Sequence, residues 1–126
     1  MTQILLVEDN DNQRSLYEES FLDEGYDILS AANGKSALSL FRKHRPTLVI
    51  LDILLPDIDG ITVMERMLEI DPNQLIIIHS AYSSPVNDFV TSFAQAYVMK
   101  SGNLEALTTI VRQFLPVALA QSTGKS

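Results

Sequence analysis

The chain has no cysteine, which excludes disulfides and thiolate metal sites and agrees with a reducing compartment. It has no apolar stretch approaching the roughly 20 residues that cross a bilayer. The opening "MTQILLVEDN" lacks a basic segment ahead of its apolar run, so it does not read as a secretory signal, and the expected location is cytoplasmic. Cations are scarce: Lys and Arg number 9 against 16 Asp and Glu, for a net charge of -7. That balance argues against direct nucleic-acid binding, which needs cations to displace counterions from phosphates. A glycine-rich phosphate loop is also missing, because "GKS" near the end has Leu119 where the motif needs its first glycine. Output is therefore expected to run through another protein.

What is present is an ordinary globular composition, 46% hydrophobic and 20% charged over 126 residues, enough for one domain with its own core. Residues 3–7, "QILLV", form a short apolar run ending in acids, which reads as a buried strand. Asp11 or Asn12 is the expected cap of a helix reaching about Glu24, with Leu16, Tyr17, Phe21 and Glu24 at helical spacing and Gly25 as its stop. Residues 26–30 read as the second strand. Ala37, Leu38 and Phe41 mark a helix that Pro46 terminates. Residues 47–52 are the third strand, Ile61, Met64, Met67 and Leu68 the third helix, and residues 74–80 the fourth strand. A fourth helix is expected over residues 83–95, with Ser84 as cap and Pro85 in its first turn. A fifth strand over 96–100 and a helix carrying Leu104, Leu107, Val111, Phe114 and Ala118 complete the pattern.

Five alternations of strand and helix, with strands that are apolar on both faces, predict an α/β fold. The expected architecture is a doubly wound five-stranded parallel sheet, (βα)5 and flavodoxin-like, with strand order 2-1-3-4-5. It occupies residues 1–120, and 121–126 are expected to be a flexible tail.

Ligands bind such sheets outside the carboxyl ends of the strands. Those ends carry Glu8 and Asp9, Asp52, Ser80 and Lys100. An ionised carboxylate closing an apolar run, as Asp52 does in "TLVILD", is costly to bury without a partner. Three carboxylates in one mouth repel unless a cation sits among them, and oxygen-only ligation favours magnesium over zinc. Taken singly the same residues have plainer readings: Asp9 as a helix cap, Asp52 as a turn cap, Ser80 as a loop hydroxyl, and Lys100 or Glu8 as surface charges. Their common position at strand ends favours a site.

In order and spacing, "ILLVED", "AANGKSAL", "DILLPDIDG", "SAY" and "YVMK" resemble the response-regulator receiver domain of bacterial two-component signalling, over residues 3 to about 115. The resemblance implies that Asp52 accepts a phosphoryl group from a histidine kinase or phosphotransfer protein. It implies Mg2+ bound by Asp9, Asp52 and the backbone carbonyl of Leu54, with Glu8 acting through a bound water. Ser80 and Lys100 would attend the phosphoryl group, and Tyr97 would be the switch aromatic. The signal would leave through the fourth helix, fifth strand and last helix, towards a downstream partner, an output domain or a phosphorylation-dependent homodimer. Such a module is not an enzyme beyond self-catalysed phosphotransfer and slow dephosphorylation. Leu54 and Tyr82 fall where the family gates hydrolysis, and an apolar side chain and a bulky ring there predict a long-lived phosphoaspartate.

Some features depart from the family. Ser101 replaces the usual proline after Lys100, which removes the basis for the cis peptide common there, and the segment between Ser80 and Tyr97 is slightly short. His44 and His79 are poor relay candidates, one in a basic helix end and the other in an apolar strand. The alternative from another class is a magnesium-dependent phosphatase of the haloacid-dehalogenase type. That chemistry needs a second aspartate two residues after the nucleophile, where this chain has Leu54.

Overall fold

The apolar runs become the five strands of one sheet in the computed structural model, which describes residues 3–81, 94–100 and 104–116. The strands are β1 (Ile4–Val7), β2 (Ile28–Ala31), β3 (Leu48–Leu51), β4 (Leu75–Ser80) and β5 (Ala96–Met99). The helices among the described residues are α1 (Asp11–Asp23), α2 (Gly34–His44), α3 (Gly60–Ile70) and α4 (Leu104–Phe114). All strand pairs are parallel and the order is β2-β1-β3-β4-β5, as the sequence predicts.

Alternation along each strand divides the core into two layers. Ile4, Leu6, Leu48, Ile50 and Ile77 pack with Tyr17 and Phe21 of α1 and Leu107 and Val111 of α4. Leu5, Val7, Val49, Leu51 and Ile78 pack on the other face with Phe41 of α2 and Val63, Met64 and Met67 of α3. Because both faces are covered by helices, the strands could be almost wholly apolar. No helix among the described residues is long and apolar enough to cross a membrane.

Several local expectations are corrected. The cap of α1 is Asn10, whose side chain accepts from the Gln13 amide at 2.9 Å, not Asp11 or Asn12. Asn10 has the extended backbone a cap needs, and Asp11 is already the first helical residue. Leu16 is 53% exposed, so the buried stripe of α1 is Tyr17 and Phe21 alone. Strand β2 begins at Ile28, later than read. Tyr26 instead packs edge-on against Phe21 and donates its hydroxyl to the Leu115 carbonyl at 2.5 Å. Gly25 ends α1 as expected, with φ 96, a conformation that favours glycine. The expected helix with Ser84 and Pro85 at its start falls mainly outside the described residues, and so do Tyr82, Ser101, Ala118 and the tail.

Candidate functional site

Strand register assembles the site. Val7 pairs with Ala31 on one side and Leu51 on the other, so the next residues, Glu8 and Asp52, leave adjacent strand ends together. The Asp52 amide donates to the Val7 carbonyl at 3.2 Å. The chain crosses from β1 to β2 on one side and later to β3 on the other, which opens a crevice at this switch point. Past β4, the Lys100 amide donates to the Ser80 carbonyl at 2.6 Å and directs the lysine into the same mouth.

Glu8 and Asp52 are both buried, and Lys100 resolves the cost. Its Nζ lies 2.8 Å from Glu8 Oε1 and 2.8 Å from Asp52 Oδ2. The remaining oxygens accept from backbone amides, Glu8 Oε2 from Asn10 at 3.1 Å and Asp52 Oδ1 from Leu54 at 3.1 Å. Burial alone would push the Lys100 ammonium down, but hydrogen bonds to Asp52 and Glu8, reinforced by their charges, hold it above the ordinary lysine value.

Asp9 stands exposed at the rim. One carboxylate oxygen from each of Glu8, Asp9 and Asp52 lies within 4.8 Å of the others. Three carboxylates against one lysine leave the mouth net negative, and its donors are oxygens, a set that fits magnesium. Leu54, 54% exposed, and Ala81 border the cleft.

Ser80 is fully buried at the end of β4, and Tyr97 is half-buried in β5. Tyr97 pairs with Ile78, and Ser80 pairs with Met99, two residues further on, so serine and tyrosine share one face of neighbouring strands. His79 points the other way, edge-on to Tyr17 with ring centroids 5.3 Å apart. Burial, with the Lys100 charge adding to it, lowers its pKa to about 4, so the imidazole is neutral at pH 7. Burial raises the Tyr17 phenol, and Glu8 adds to that rise. His44 is exposed at the end of α2, away from the cluster.

Two contributors escaped the sequence reading. Asp57 accepts from the Gly34 and Ile58 amides at 2.7 and 2.8 Å and from Lys35 at 2.9 Å, which pins the loop after β3 onto the start of α2. The Gly34 amide leads in holding the Asp57 carboxyl below its usual value. "PDIDG" signals a turn, but nothing in it points to a helix 23 residues earlier. Arg14 donates to the Glu8 carbonyl at 2.9 Å and to the Asp11 carboxylate at 2.6 Å; the sequence offered only a polar residue in a helix.

Residues 4–112 match the model of the response regulator receiver domain. The chain is 36% identical over 117 residues to Sporulation initiation phosphotransferase F of Bacillus subtilis, covering 91% of this chain and 94% of that protein. Its fold is similar to the response regulator protein TrrA from Thermotoga maritima in complex with Mg(2+)-BeF. The TM-score is 0.84 at 38% identity, over 91% of this chain and 100% of the other. TrrA in complex with the histidine kinase ThkA is also similar, with a TM-score of 0.82 at 38% identity over 91% and 99% of the two chains. Some regulatory proteins that match are longer, the chain spanning 56% of one and 25% of another.

Proposed function

The chain belongs to the response regulator receiver domain family, and on that premise we propose that Asp52 is its phosphoacceptor, charged by a histidine kinase or a phosphotransfer protein. The observation that carries this reading is the buried Asp52 carboxylate held at 2.8 Å by Lys100 inside a cluster of three carboxylates. A carboxylate attacks an anionic phosphoryl group poorly until positive charge gathers the two. Asp9, Asp52 and the Leu54 carbonyl would hold magnesium, with Glu8 acting through a bound water, and the cation would supply part of that charge.

Lys100 supplies the rest. Its raised pKa keeps it an ammonium at neutral pH, and it already touches an Asp52 oxygen. A bond forms between an Asp52 oxygen and phosphorus as the bond to the donor's leaving group breaks, and Lys100 stands beside the charge that develops. Ser80, at the end of the strand between β3 and β5, offers a hydroxyl to the phosphoryl oxygens. Movement of Ser80 towards them opens room on the face it shares with Tyr97, which carries the change to β5, α4 and the segment before β5. The reader is a downstream protein, an output domain or a second copy. The receiver unit is residues 1–120. It works in the cytoplasm as a switch and not as an enzyme, since the phosphoryl group stays on its own side chain until slow hydrolysis.

Incubation with magnesium and acetyl phosphate, followed by intact mass, tests the assignment. The parent should gain one phosphoryl group and Asp52→Asn none; a gain that persists in Asp52→Asn overturns it. Leu54 borders the cleft with an apolar side chain that cannot position water, and with Tyr82 it supports a long-lived modification. After removal of the donor, the phosphorylated mass should decay more slowly in the parent than in a Leu54→Asn, Tyr82→Glu double variant.

A further inference from the structure

We propose that Arg14 is a positioning residue for the magnesium-binding loop, holding residues 8–11 in the arrangement the cation requires. This rests on the reading that Glu8, Asp9 and Asp52 hold the metal. Arg14 lies in the first turn of α1, and its guanidinium spans the loop: Nη1 donates to the Glu8 backbone carbonyl at 2.9 Å and Nη2 to Asp11 Oδ1 at 2.6 Å. Asn10 fixes the middle, its amide on Glu8 Oε2 at 3.1 Å and its side chain on the Gln13 amide at 2.9 Å. Within this clamp the Asp9 carboxylate is exposed, with no hydrogen bond or ion pair among the described residues.

A peptide group is planar, so holding the Glu8 carbonyl sets the plane of the peptide that leads into Asp9, and with the Asn10 amide held on Glu8 as well, the directions open to the Asp9 side chain are restricted from both sides. A ligand held in its working direction does not have to be ordered when the cation arrives. Arginine reaches the carbonyl and the carboxylate through two separate nitrogens of one rigid plane, a spacing and orientation that the single ammonium nitrogen of a lysine does not hold. A plain surface ion pair with Asp11 explains the geometry less well. Asp11 is 84% exposed, but the Arg14 side chain is 20% exposed and reaches back past Asp11 to a carbonyl six residues earlier.

Charge and positioning predict opposite signs, which makes the proposal testable. Removing a cation beside a cation site strengthens magnesium binding if Arg14 acts only through charge, and weakens it if Arg14 orients the ligands. The experiment is calorimetric titration of the full chain with magnesium chloride, for the parent, Arg14→Met and Arg14→Lys, with urea unfolding of each in chelator as the control for folding. The expected result is a parent that binds magnesium and two variants that bind it on the order of 10-fold more weakly, the scale typical of lost outer-shell partners. Their urea midpoints should stay close to the parent's. Unchanged or tighter binding by Arg14→Met, or parental binding by Arg14→Lys, overturns the proposal. If Arg14→Met does not fold, Arg14→Lys decides it alone. A parent that fails to bind magnesium overturns the reading of the acidic cluster itself, and the role of Arg14 with it.

Discussion

Lys100 divides one ammonium between Glu8 and Asp52, which leaves Asp9 as the carboxylate at the mouth without a protein partner among the described residues. Asp9→Asn should therefore weaken magnesium binding and slightly raise stability in chelator, by less than about 1 kcal/mol because the residue is exposed. Titration calorimetry and urea unfolding check the two halves. A fall in metal-free stability would show a structural role, although the capping role belongs to Asn10. His79 gives a second expectation. Its folded pKa of about 4 lies below the ordinary 6.5, so between these values the unfolded chain binds more protons. Stability from this residue is whole above pH 6.5 and is lost as pH falls towards 4, up to roughly 3 kcal/mol. Urea unfolding from pH 7.5 to 4 should show a smaller loss in His79→Leu than in the parent. At this scale the strand-end residues were legible, because an acid or lysine closing an apolar run stands out. Arg14 and Asp57 were not, because their partners are backbone groups that only the folded loops bring near.

The elements that place these residues depend on close backbone contact at the start of α3. The Gly60 amide donates to the Ile53 carbonyl at 2.8 Å, and a Cβ there would stand 2.3 Å from the Asp52 carbonyl oxygen. Gly60→Ala should cost at least about 2 kcal/mol, because the atom it meets is backbone and cannot rotate away. Urea unfolding measures the cost, and acetyl phosphate labelling should slow as well, since the displaced peptide carries Asp52. The sequence made the strands and most helices legible through apolar runs and the period of Ala37, Leu38 and Phe41 or Met64 and Met67. Boundaries were harder. Asn10 and Asn12 look alike as caps, and Leu16 has the right spacing yet faces outward, because α1 buries a narrow stripe of two aromatic rings.

For the whole molecule, strand order converts a string of scattered residues into a site. With β1 and β3 adjacent at the sheet centre, Glu8 and Asp52 meet, and β4 and β5 bring Ser80 and Lys100 to the same end. That convergence was legible because a parallel sheet aligns all its carboxyl ends, whichever residues the helices carry. The central claim is that this mouth is a magnesium-assisted phosphoacceptor with Asp52 as its one acceptor. Borohydride reduces an acyl phosphate to an alcohol, so an aspartyl phosphate trapped in this way leaves homoserine at the acceptor. The most direct measurement is to label the full chain with acetyl phosphate, with magnesium or with chelator, reduce it, and locate the homoserine by peptide sequencing in the mass spectrometer. The expected result is homoserine at position 52 alone, formed with magnesium and nearly absent with chelator. Homoserine at position 9, a modified His44 or His79, or equal labelling in chelator would contradict the claim.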